Sequence, residues 1–230
     1  MLQRILEPEV MDSEQEASEY NEMDHSEVNR RFVDELLAFA GSSARLAEDQ
    51  ELELGDVLDL GTGTALIPIE LCQRHDHCRV MAVDMSISML DLARYNLEAK
   101  SMTERITLAQ IDAKQMGFDN GEFDVVMSNS IIHHIPEPMD CLKSMVRVTS
   151  DGGVLFVRDL MRPDDLPTLE QIVQDYAGQE SAECRRLFRD SLHAALSLDE
   201  IRELVHSLGF RRESVQATSD RHWTWAVRNS

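Results

Sequence analysis

One glycine turn constrains this chain more than any other feature. GDVLDLGTGTALIPIEL, residues 55–71, carries an apolar run into Gly61-Thr62-Gly63 and a second apolar run out of it. Four consecutive residues, VLDL (57–60), suit a strand buried on both faces, and residues 65–74 suit a helix, with Pro68 tolerable in its first turn. A buried strand that turns on glycines into a helix is the opening unit of a parallel sheet.

The chain after this turn keeps the same alternation. RVMAVD (79–84), ITLAQI (106–111), FDVVMSN (123–129) and VLFVRDL (154–160) read as further strands. Ser86 can cap a helix running to about Lys100. Pro138 opens another helix, and Asp151-Gly152-Gly153 is expected to end it. Residues 164–196 are mostly helical and interrupt the alternation. Ser197 and Glu200 stand three apart as a capping box, and Gly209 marks the end of that helix. Residues 211–217 and 222–227 form a closing pair of strands, expected as an antiparallel hairpin at or near an edge. Upstream, residues 27–40 place Val28, Phe32, Leu36, Leu37 and Phe39 at near-helical spacing; Gly41, Ser42 and Ser43 break that helix, and a short helix to about Gln50 follows. The expected fold is α/β: a Rossmann-like, doubly wound, mostly parallel seven-stranded sheet with helices on both faces and an antiparallel C-terminal strand.

In such a sheet ligands bind at the carboxyl ends of the strands where the order reverses, so the first turn decides the ligand. A dinucleotide turn needs GxGxxG. Counting from Gly61 gives Gly63 and then Leu66 where the third glycine belongs. Asp59, two residues before the first glycine, is a poor neighbour for a pyrophosphate and a good one for a cation. Both points disfavour a nicotinamide oxidoreductase.

The D-x-G-x-G turn resembles the one that opens the binding site of class I S-adenosylmethionine-dependent methyltransferases. Further motifs fall in register with it over about residues 55–160, and the similarity is greatest to the small-molecule branch that includes quinone-biosynthesis C-methyltransferases. The resemblance implies that Asp84, ending the second strand, holds the ribose hydroxyls. It implies that Asp112 in QIDA, with Ala113 beside it, contacts the adenine, and that MSNSIIHHI brings Asn129 and His134 to the methyl-facing mouth. Gly61 and Gly63 let the backbone approach the ligand, Asp59 can orient its amine, and Met85 and Met89 offer soft surfaces for the ring. The family's third glycine is Ala65 here, which predicts a tighter or slightly shifted turn. The implied cofactor is S-adenosyl-L-methionine, with S-adenosyl-L-homocysteine as product. In domain terms, residues 1–50 read as an N-terminal helical lid, and 51–230 as a methyltransferase domain with a helical insertion at about 164–196.

Bland readings stand beside these. Asp84 could simply cap the following helix, and His133 and His134 could pack at a strand end. No third ligand clusters with the two histidines in sequence, so no metal site is expected. The acceptor must be met by elements outside the common core. One candidate is residues 16–32, where Tyr20 is expected to contact the cofactor and His25 to serve as a base. The other is the insertion, which holds Tyr176, Arg185, Arg186, Phe188 and Arg189 and is entered past Asp159 and Arg162. His25, His133 and Asp159 are the three candidate bases, unranked.

Composition narrows the partners. Lys and Arg number 22 against 43 Asp and Glu, a formal charge of −21, which repels nucleic-acid and lipid phosphates. A small-molecule acceptor is expected, with no nucleic acid and no membrane insertion; oligomeric state is left open. No run approaches the roughly 18–20 apolar residues of a membrane helix, and the start has no secretory pattern. The four cysteines form no CxxC pair, which fits the cytoplasm. A non-catalytic binding protein that kept the fold is the remaining alternative.

Overall fold

The computed structural model describes residues 2–7, 21, 26–42 and 52–229. Its strands are β1 (Asp56–Leu60), β2 (Arg79–Asp84), β3 (Ile106–Gln110), β4 (Phe123–Asn129), β5 (Thr149–Leu160), β6 (Val215–Ala217) and β7 (His222–Arg228). They form one seven-stranded sheet in the order β3-β2-β1-β4-β5-β7-β6. β1 pairs in parallel with β2 and with β4, β2 in parallel with β3, and β6 pairs antiparallel with β7. The order reverses between β1 and β4. The expected fold class is therefore the observed one, and the short strand β6 is one edge, with β3 the other.

The helices are α1 (Ser26–Ser42), α2 (Leu66–Arg74), α3 (Ile87–Ala99), α4 (Met139–Val148), α5 (Leu166–Ala177), α6 (Ala182–Ala194) and α7 (Leu198–Ser207). Local chemistry accounts for their starts. The Ser86 hydroxyl accepts the Met89 N–H at the head of α3. Asp165 and Ser181 do the same for α5 and α6, and Ser197 with Glu200 forms the complete capping box of α7.

Three expectations on boundaries need correction. Helix α1 continues through Gly41 to Ser42 rather than breaking there. Asp151-Gly152-Gly153 does not separate α4 from a strand at 154; β5 already begins at Thr149 and runs through it. Gly152 N–H donates to the Asn229 carbonyl, and Asn229 N–H donates back to Gly153, so pairing with a distant segment overrides the local breaker signal. Residues 212–214 form a 3-10 turn, leaving β6 only three residues. The short helix expected to about Gln50 lies outside the described residues.

The chain divides into two compact units. One comprises residues 10–128, 143–156 and 226–230, and the other residues 1–9, 129–142 and 157–225. The first has a core of strand and helix side chains in which Phe32 of α1 meets Phe156 of β5 edge-to-face, with ring centroids 5.3 Å apart. Met127 and Met145 are fully buried, as core residues should be. Arg105 donates to the carbonyls of Cys72, His75 and Cys78, closing the connection from α2 to β2. The second unit has a smaller core of Leu160, Leu169, Ile172, Val173, Leu192 and Ala195, against which Leu2 and Phe188 pack.

Candidate active site

In the first unit the glycine turn leaves β1 in a left-handed sequence. Gly61 has φ 73° and Gly63 φ 55°, and Ala65 follows at φ 61°, ψ 25°. Glycine enters this region freely, while an L side chain costs roughly 1–2 kcal/mol there. Ala65 thus keeps a glycine-like backbone and opens α2 with no side-chain cap. The turn is held from β2, because Gly61 and Thr62 N–H both donate to the Val83 carbonyl. Asp84, the next residue, ties it further. Its Oδ2 accepts the Gly63 N–H at 2.8 Å, and its Oδ1 accepts the Ser86 N–H at 2.9 Å.

The same turn surrounds an unusual carboxylate. Asp59 is 2 % exposed, and its Oδ2 takes no hydrogen bond among the described residues; the buried Thr64 hydroxyl is also unmatched. Burial pushes the Asp59 carboxyl up to about 7, the Asp84 charge adds to the rise, and the Thr62 hydroxyl opposes it. Burial raises Asp84 as well, against the N–H groups of Ser86, Gly63 and Met85. Buried polar atoms without partners are uncommon in finished folds, and strain, water or a bound group accounts for each. A cation suits a raised carboxylate, so these residues fit a ligand bearing an amine and a sulfonium.

Other residues expected at the cofactor lie nearby in sequence. Met85 is exposed, and Met89 is buried in the first turn of α3. Asp112 follows β3, its Oδ1 accepting the Lys114 N–H at 2.9 Å, with the Lys114 ammonium 3.7 Å away. Ala113 is half-buried beside it. Asn96 of α3 donates to the Thr64 carbonyl and to the Asn21 side chain, both at 2.9 Å. Tyr20 and His25 lie outside the described residues.

In the second unit, β4 ends at Asn129, whose Oδ1 is buried and takes no hydrogen bond among the described residues. Ser130 follows at φ 61°, and Ile132–His134 form a 3-10 turn. Asp159 anchors that turn. It accepts the N–H groups of Ile132 at 2.5 Å and His133 at 3.3 Å through Oδ2, and that of Leu160 at 2.6 Å through Oδ1, while the His133 Nδ1 sits 2.5 Å from Oδ1. Burial alone would drive the His133 ring neutral, but the charge and hydrogen bond of Asp159, with Glu7, outweigh it, and His133 is shifted up. Asp159 is shifted down, since His133 and the N–H groups overcome its burial.

Two residues here had no place in the sequence reading. Arg4 donates to the carbonyls of Ala194 (2.6 Å), Pro136 (3.0 Å), Ile135 (3.0 Å) and His133 (3.3 Å). Glu7 brings Oε1 to 3.1 Å from His134 Nδ1 and 3.5 Å from His133 Nε2. Burial raises the Glu7 carboxyl, against the pull of His133. The third potential ligand that the sequence did not place beside the histidines thus comes from more than 120 residues away. The only available signal was an acidic residue in the otherwise apolar-rich segment LQRILE. The arginines of the insertion are already engaged: Arg185 donates to the Gly178 carbonyl, Arg186 pairs with Glu183 and Asp190, and Arg189 with Glu170; Arg162, just before the insertion, pairs with Glu200 at 2.6 Å. Tyr176 donates to Asp220, under the guanidinium of Arg221.

Comparisons with known proteins agree with this geometry. Residues 58–157 match the family model described as a methyltransferase domain. The chain is 26% identical over 174 residues to the demethylmenaquinone methyltransferase of Porphyromonas gingivalis, covering 71% of each chain. It is 29% identical over 179 residues to the 27-O-demethylrifamycin SV methyltransferase of Amycolatopsis mediterranei, covering 76% of this chain and 61% of that one. Its fold matches the plantazolicin methyltransferase BpumL in complex with SAH at a TM-score of 0.73, with 14% identity over 93% of this chain and 89% of that one. The nicotinamide alternative falls with these matches: the chain carries a methyltransferase domain over residues 58–157, and the activity they support is S-adenosylmethionine-dependent methyl transfer.

Proposed function

We propose that this methyltransferase acts on a small-molecule acceptor, and that the glycine turn with Asp59 and Asp84 holds the cofactor. The observation that carries this is the Asp84 carboxylate, which spans Gly63 and Ser86. A carboxylate has about four acceptor sites, so acceptor capacity remains for a ligand hydroxyl. The relatives named for menaquinone, rifamycin and plantazolicin support a small acceptor.

When bound, S-adenosylmethionine supplies a methyl group activated by a sulfonium. The chain's own residues would do the rest. Asp59 would meet the amine, and the N-terminus of α2 the carboxylate. Met85, Met89, Asp112 and Ala113 would border the adenine, while Asn129, His134 and Tyr20 complete the cofactor set. Much of the rate would come from positioning in a water-poor site. Of the three candidate bases, Asp159 is spent on backbone N–H groups and on His133, whose Nε2 faces Glu7 at 3.5 Å. His25 would act from the N-terminal lid.

The excess of 43 acidic over 22 basic residues supports the absence of nucleic-acid partners. Four free thiols support a cytoplasmic location. Among the described residues no helix is long and apolar enough to cross a membrane. Calorimetry should show binding of S-adenosylmethionine and its demethylated product but not NAD, and an acceptor panel should yield S-adenosylhomocysteine. Tight NAD binding would reject the cofactor assignment; sub-micromolar binding to duplex DNA at physiological salt would reject the acceptor class.

A further inference from the structure

His133 and His134 are neighbours in the chain, and their rings lie 4.1 Å apart at 35°. Three observations around them exceed an ordinary ion pair. Asp159 occupies the Nδ1 side of His133 at 2.5 Å, which turns Nε2 toward Glu7. Glu7 is nine-tenths buried, its Oε2 accepts from the Ser191 hydroxyl at 3.2 Å, and its Oε1 takes no hydrogen bond among the described residues. That oxygen nonetheless sits 3.5 Å from His133 Nε2 and 3.1 Å from His134 Nδ1. Donor atoms bound to one tetrahedral ion at about 2.0–2.1 Å lie about 3.3 Å apart, and the two observed separations bracket that value. All three atoms fall within 4.8 Å of one another.

We propose that Glu7, His133 and His134 form a site for one divalent transition-metal ion of the zinc class, with Asp159 as the positioning residue behind His133. Two imidazoles and a carboxylate suit zinc, cobalt or nickel, whereas magnesium and calcium prefer oxygen alone. Asp159 stands where a carboxylate orients a ligating imidazole through its far nitrogen. Metal entry displaces any proton on the ring. Asp159 and Glu7 act on His133 as negative charges, and Arg4 acts on it as a positive one. Three protein ligands leave a fourth position open, the arrangement of a reactive rather than a purely structural site.

The test is cobalt(II) titration of the full-length, tag-free, chelator-stripped protein. One equivalent should bind with the d–d absorption of four-coordinate cobalt and no thiolate charge-transfer band, and zinc should displace it. Glu7→Gln and His134→Ala should abolish that spectrum while circular dichroism remains native. Asp159→Asn should weaken cobalt affinity by about 10–100-fold. If the folded wild type takes up no cobalt, or if Glu7→Gln and His134→Ala bind it as the wild type does, the site does not exist. Unchanged affinity in Asp159→Asn would remove the positioning role.

Discussion

The Asp84 carboxylate accepts the Gly63 N–H at 2.8 Å, joining the end of β2 to the turn that leaves β1. One side chain thereby serves the turn and the ligand it is proposed to hold. Asp84→Ala should weaken S-adenosylmethionine binding by about 1.5–3 kcal/mol, the scale of hydrogen bonds to a charged group. It should also lower the melting temperature, because Gly63 and Ser86 lose their acceptor. Asp84→Asn keeps one acceptor and should lose less on both counts. Calorimetry beside a melting curve separates the two effects; full affinity in Asp84→Ala would refute the assignment.

Asp59 predicts a pH dependence. Its carboxyl stands at about 7 in the fold, against 3.8 as its reference. Between these values the folded chain holds the extra proton, so this group makes stability fall as pH rises from about 4 to 7 and level off above. Cofactor affinity should run the other way, because the ionised carboxylate attracts an amine. Binding near pH 7 should therefore release about half a proton per chain. Calorimetry in buffers of different ionisation enthalpy measures this release, and Asp59→Asn should abolish it.

Arg4 holds four carbonyls in one fork. Arg4→Ala should cost about 3 kcal/mol, the upper range for hydrogen bonds to a charged group. Arg4→Lys should recover only part, since an ammonium cannot reproduce the planar fork. Urea unfolding checks both; a variant as stable as wild type would show that water replaces the guanidinium at no cost.

Asp159→Ala should be the most damaging of these substitutions. It strips a buried charge from His133 and leaves three N–H groups without an acceptor. Removing one partner of a buried pair costs about 3–5 kcal/mol. A loss below 1 kcal/mol in chemical denaturation would contradict the anchoring role.

The parallel half of the sheet is legible from sequence because its signals are local. VLDL, RVMAVD and FDVVMSN are apolar runs whose pairing follows from the connecting helices. The start of β5 is not legible, since Asp151-Gly152-Gly153 carries every local mark of a stop and extends only through residues some 76 positions later. The same division holds at the site. Asp59, Gly61, Gly63 and Asp84 announce themselves by their place at strand ends. Glu7 and Arg4 do not, because among so many acidic residues nothing local distinguishes a buried carboxylate from a solvated one. Asp159 reads from sequence as a candidate base, yet in the fold its lone pairs are already taken by three N–H groups and His133.

The sheet order also carries a consequence for synthesis. β7 follows every other described strand in the chain, yet it lies between β5 and β6 and buries Trp223 and Trp225 completely. As the chain leaves the ribosome, β5 must wait with one flank unpaired until residues 222–228 emerge. An unpaired flank on a long apolar strand is a template for pairing with other chains. A stalled or clipped product lacking only this strand would keep the glycine turn and all its named residues. It would nevertheless leave that flank of β5 unpaired and lose the burial of Trp223 and Trp225.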